Sequence, residues 1–168
     1  MQERHVLSIL VNNKPGVLSR IAGLFSRRGY NIDSLSVCAT EDDEFSRMTI
    51  TVSANDKSIK QIAAQLEKQI DVAKVADFEK DKSVFRELLI IKVNVKPSER
   101  SEIVDISTIF KAKTVDISAD DTMMLELTGD SAKIDAFIEV LSPFGILEMA
   151  RTGGAALGRG RKCIKDQV

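Results

Sequence analysis

The feature that most constrains this chain is a repeat of element order: strand, helix, strand, strand, helix, strand occurs twice, each copy spanning roughly 75 residues. In the first copy, residues 5–11 read HVLSILV, a run with little polarity on either edge that suits a central strand. A turn at Asn13-Lys14-Pro15-Gly16 follows. Val17, Leu18, Ile21, Leu24 and Phe25 then recur at helical spacing until Gly29 closes the segment. Residues 32–39 and 46–53 alternate with period two about an acidic Glu41–Glu44 connection, which predicts a hairpin. Asp56 is the expected N-cap of a second helix carrying Ile59, Ile62, Ala63, Leu66 and Ile70, and VAKVADF supplies the fourth strand.

The second copy repeats this order. Residues 87–95 give a strand and 98–112 a helix built on Ile103, Ile106 and Phe110. Val115 and Ile117 face Met123, Leu125 and Leu127 across a turn at Ala119-Asp120-Asp121. Asp130 is the expected cap of a helix carrying Ile134, Phe137, Ile138 and Leu141, after which Gly145 and ILEMART close the copy. The fold class is therefore α+β, with two ferredoxin-like βαββαβ domains. The expected boundaries are 1–79 for the first, a charged linker at 80–83, 84–152 for the second, and a flexible basic tail at 153–168. A unit this small buries only about 60% of its unfolded surface, so oligomerisation is expected.

With 43% hydrophobic residues, 29% charged residues and a net charge of -1, the chain reads as soluble and globular, with no global pull toward nucleic acid. Its apolar runs are strand length, far short of the roughly 20 residues that span a bilayer, and no secretory h-region precedes the first strand. A cytoplasmic protein is expected, without membrane or nucleic-acid partner. Cys38 and Cys163 stand far apart without C-x-x-C spacing, which argues against a disulfide framework or zinc site.

Catalysis needs converging nucleophilic or titratable groups, and the chain offers one histidine, His5, read as a surface or sheet-face residue. No catalytic residue, metal ligand or bound cofactor is assigned. The segment Gly153–Arg159 mimics the spacing of a phosphate loop but lacks its Lys-Ser/Thr. RNA-recognition domains share the element order, yet HVLSILV and SRMTITVS present no aromatic platform for bases. An acylphosphatase-like hydrolase would want an arginine cradle after the first strand, where this chain has Asn13-Lys14-Pro15-Gly16, so it stands only as a weak alternative.

That loop carries the one binding chemistry in the sequence. Pro15 and Gly16 introduce a helix whose first N–H groups have no intrahelical partner, and the positive end of the helix dipole attracts a carboxylate. Asn13 can accept the ammonium protons of the same amino acid, and Asn31, at the next strand, can add a second amide from this or a neighbouring subunit. Simple helix capping would account for the same residues.

At this loop a resemblance enters. The segments HVLSILVNNKPGVLSRIAGLFSRRGYNIDSLSV and SRMTITV resemble the N-terminal ACT domain of acetohydroxyacid synthase (acetolactate synthase) small subunits, and the likeness continues through Asp71–Val75, Arg86, IFKAKTVDIS and ILEMARTG. It implies a non-catalytic regulatory subunit that forms a homodimer through its ACT domains. Such a subunit activates a catalytic partner using thiamine diphosphate, magnesium and FAD, with no cofactor of its own. It also implies feedback inhibition by branched-chain amino acids, valine foremost, in the pathway to valine, leucine and isoleucine. Carried across, the effector-binding residues are Asn13, Gly16, Val17, Leu18, Asn31 and Ile32; the family pattern varies at Lys14 and Pro15. A freestanding ACT-domain sensor of another target is the alternative.

Overall fold

In the computed structural model, residues 3–166 are described, and they form two units: the residues up to Phe85 together with those from Gly153 on, and Arg86–Thr152. Positions 1, 2, 167 and 168, included in the expected first domain and tail, lie outside the described residues.

The first unit contains β1 (Glu3–Asn12), α1 (Val17–Arg27), β2 (Ser34–Ala39), β3 (Phe45–Ala54), α2 (Asp56–Leu66) and β4 (Val72–Asp77). Its antiparallel sheet has the order β2-β3-β1-β4, so β1 is central as its apolar run predicts and β2 is an edge. Strand period two sends Leu7, Ile9 and Val11 to one face, where Leu7 lies opposite Ile50 and Ile9 opposite Met48. There they meet Val17, Ile21, Leu24 and Phe25 of α1 and Ile59, Ile62 and Leu66 of α2, all essentially buried. The cap of α2 is one residue earlier than the sequence suggested: the Asn55 side chain accepts from Ser58 N at 2.9 Å, and Asp56 is the first helical residue. A neighbouring Asn and Asp compete for this role, and the extended backbone at Asn55 decides it.

A short 3₁₀ turn, Lys80–Lys82, stands where a linker was expected and runs directly into β5 (Ser83–Asn94). The second unit continues with α3 (Arg100–Phe110), β6 (Lys113–Ile117), β7 (Thr122–Gly129), α4 (Ser131–Leu141) and β8 (Ile146–Arg151), in the sheet order β6-β7-β5-β8. The helix expected over 98–112 is shorter because Pro97–Glu99 form a 3₁₀ turn and Lys111 takes a left-handed conformation. Asp130 caps α4 as predicted, accepting from Lys133 N at 2.9 Å. Leu89, Ile91, Val93, Met123, Leu125 and Leu127 meet Ile103, Ile134, Phe137 and Leu141 in the core. Glu87 is 2% exposed and is held by Ser131 Oγ at 2.7 Å and by the Arg151 guanidinium, which also bonds Asp135 at 2.6 Å. Burial alone would pull the Arg151 guanidinium down, but its bonds to Glu87 and Asp135 push it above its ordinary value.

The tail departs most from expectation. Residues after Thr152, expected to be flexible, belong to the first unit and cover the face of its sheet opposite the helices. Strand β9 (Ala155–Gly158) pairs with β5, and Arg159 N donates to Lys82 O at 2.8 Å. Ala156 is buried, and Ile164 packs with Leu10, Ala76, Phe45 and Phe78. Gly153 passes so close to β2 that a Cβ there would lie 2.4 Å from Leu35 O, which only glycine avoids. Lys165 reaches Glu41 at 3.3 Å and lies over the Phe45 ring. Glu41's own backbone hydrogen bond and the Lys165 ammonium hold its carboxyl below its usual value. The physical reason is visible in β1: Ser8 and Leu10 point away from the helices, are 0% and 2% exposed, and need a cover that sparse apolar residues in a basic tail provide.

Candidate functional site

The loop after β1 is built by backbone bonds. Asn13 N donates to Glu44 O and Lys14 N to Asn12 O, after which Gly16, with φ of +82°, takes the N-cap position of α1. In contrast to Asn55 and Asp130 at α2 and α4, no side chain caps α1, and its first turn holds no acidic residue. The helix terminus therefore keeps its attraction for an external carboxylate. Arg20, one turn on, reinforces it: its guanidinium lies 3.1 Å from where a Gly16 Cβ would be, and Asp71 holds it at 2.7–2.8 Å. The Asn13 carboxamide nitrogen donates to Asp43 O at 3.0 Å, and its oxygen has no protein partner among the hydrogen bonds of the described residues. Val17 is buried in the core, whereas Leu18 is 45% exposed beside the loop.

Asn31 and Ile32 lie at the other end of α1. An 11-residue helix is roughly 16 Å long, so one chain does not bring all six expected residues together. Asn31 instead lines a groove of about 420 Å³ with Tyr30, Asp33, Ser53, Asn55 and Ser58, while Ile32 packs against the core. Within that groove Asp33 accepts from Asn31 Nδ2 at 3.3 Å and from Ser53 Oγ at 2.6 Å, and its N–H is tied to Thr51 O, so it orients the Asn31 carboxamide. Arg20 and Asp33 are the residues the sequence reading missed. The four-residue offset of Arg20 from Gly16 was a usable signal; the position of Asp33 against Ser53 needed the β2–β3 register.

Both cysteines are exposed, and among the described residues no helix is long and apolar enough to cross a membrane. Residues 7–74 match the family description "AHAS small subunit-like ACT domain", and residues 86–160 match "Small subunit of acetolactate synthase". The "Probable acetolactate synthase small subunit" of Archaeoglobus fulgidus is 49% identical over 159 residues, covering 95% of this chain and 99% of the relative. The chain belongs to the acetolactate synthase small-subunit family. The "Acetolactate synthase small subunit" of Mycolicibacterium smegmatis is 47% identical over 160 residues, covering 95% and 94%. The crystal structure of the acetolactate synthase small subunit of Thermotoga maritima superposes with a TM-score of 0.87 at 38% identity, over 95% of this chain and 99% of that one. The loop from Asn13 to Leu18 and the groove at Asn31 both lie within the ACT domain of this small subunit.

Proposed function

We propose that this small subunit is a non-catalytic regulator: in the cytoplasm it activates a catalytic acetolactate synthase subunit and makes it sensitive to feedback inhibition by a branched-chain amino acid, valine first. Thiamine diphosphate, magnesium and FAD belong to that partner. The reading rests on family membership and on one observation, the uncapped N-terminus of α1 flanked by Arg20 and the Asn13 carboxamide. Those groups complement an amino acid's charged head, and Leu18 offers apolar contact to its side chain.

The site is completed by a second copy. Strand β2 is an edge, with Val37 41% exposed and Cys38 and Ala39 also exposed, so it offers unpaired backbone groups to another strand. Antiparallel pairing of two β2 strands about a two-fold axis turns the α1 start of one chain toward Asn31 and Ile32 of the other. Effector binding then spans the interface and biases the subunit arrangement that the catalytic partner reads. The test is acetolactate formation by the catalytic subunit with and without this chain across a valine titration. Stimulation that valine removes supports both roles. Stimulation insensitive to all three branched-chain amino acids refutes the effector role, and no stimulation points to a freestanding sensor of another target.

A further inference from the structure

At the end of β1 away from the effector loop, the alternation that builds the core continues past Leu7: His5 and Glu3 occupy the same helix-facing side, opposite Val52 and Ala54. Here the sheet face meets the first turn of α2, where Asp56 stands, and Asp77 of β4 lies opposite Leu7 on that side. The ligand atoms of Glu3, His5 and Asp56 all fall within 4.8 Å of one another. The imidazole is 14% exposed, and its Nε2 is buried without a hydrogen-bond partner. Asp56 Oδ1 is 3.7 Å from Nε2, too far for a charge-assisted hydrogen bond, which closes at roughly 2.7–2.9 Å. On the other edge of the ring, Nδ1 faces Asp77 Oδ2 at 3.4 Å.

We propose that Glu3, His5 and Asp56 bind a divalent first-row transition-metal ion, with Asp77 orienting the imidazole from behind. An ion between Nε2 and the two carboxylates satisfies the orphaned nitrogen at metal–ligand distances of about 2.0–2.2 Å. Asp56, with its side chain 80% exposed, and exposed Glu3 are free to rotate the short distance this requires. Asp77 Oδ2 stands 3.4 Å from Nδ1, and closing that gap to hydrogen-bond distance gives the carboxylate–imidazole arrangement that fixes the tautomer of a metal-bound histidine. The imidazole favours zinc, copper, iron or nickel over magnesium and calcium, which prefer all-oxygen shells. The ion would tie the first strand to the start of α2, and the inference does not depend on the effector reading.

The test uses the full, tag-free chain carrying Cys38→Ser and Cys163→Ser, so that thiols do not compete. Zinc is titrated by calorimetry and cobalt by visible absorption, with circular dichroism confirming the fold of each variant. Saturable binding of one ion per chain is expected, unmatched by magnesium. His5→Gln should abolish it, Asp56→Asn should weaken it at least about tenfold, and Asp77→Asn should weaken it about 10- to 100-fold. Should His5→Gln perturb folding, Asp56→Asn at its exposed site carries the test alone. No binding by the folded chain, or binding that ignores both substitutions, overturns the proposal.

Discussion

Replacing Gly16 by Asp separates effector recognition from folding. Gly16 has a positive φ, so a side chain there costs about 1–2 kcal/mol of backbone strain. The new carboxylate offsets part of this, because a negative charge at a helix N-terminus contributes about 0.3–1 kcal/mol and Arg20 lies alongside. The net cost to stability should be about 1 kcal/mol, small enough to leave the first unit folded. Effector binding should suffer far more. The same carboxylate takes the N–H donors and the Arg20 field that an amino acid's carboxylate would use, and a hydrogen bond to a charged group contributes about 1.5–3 kcal/mol. That range corresponds to a valine affinity about 10- to 150-fold weaker. Valine inhibition of the reconstituted enzyme, measured beside the melting temperature of the subunit, reads both quantities. A half-inhibitory valine concentration within threefold of wild type in a folded variant would refute the placement of the carboxylate at α1.

The other expectations concern the scaffold. Arg151→Met takes the guanidinium from the buried Glu87 carboxylate in the second unit while Ser131 Oγ still donates to it, and should cost about 3–5 kcal/mol in urea unfolding followed by circular dichroism, most of it recovered on adding Glu87→Leu; a loss under about 1 kcal/mol would show that Glu87 does not depend on Arg151. Ile164→Ala opens a gap against Leu10 and Phe45 and should cost about 2 kcal/mol, seen as faster amide exchange in the tail and along β1, and unchanged exchange would contradict its packing role. The folded-state pKa of Glu41 lies below its ordinary 4.5, so the stability gained from its contacts is present above that value and is lost as pH falls through the lower folded one. Exchange protection around Lys165 should therefore decline only in acid, and Glu41→Gln should remove that dependence.

The ACT loop and the two sheets were legible because their signals are local. Leu7-Ile9-Val11 and Met48-Ile50-Val52 carry the two-residue period of strands, and Ile21, Leu24 and Phe25 the helical period, so element order follows without knowledge of the fold. The tail was misread because its contribution is not periodic. Ala156 and Ile164 are isolated apolar residues among glycines and basic side chains, and only the bare face beneath Leu10 and Ala76 gives them a role. His5 was set aside for the same reason: Asp56 and Asp77 are about 50 and 70 residues away, and nothing in local spacing announces them.

What the sequence determined by itself was the repeat, the strand and helix periods, the Pro-Gly turn that opens α1, and the chemistry available at that helix end. The tertiary structure decided which distant groups meet: Arg20 beside Gly16, Asp33 behind Asn31, the tail over the second sheet face, and the carboxylates around His5. The division is physical. Periodicity and turn chemistry act between residues a few positions apart, whereas burial and electrostatic pairing depend on strand register and packing, which the whole chain must fold to establish.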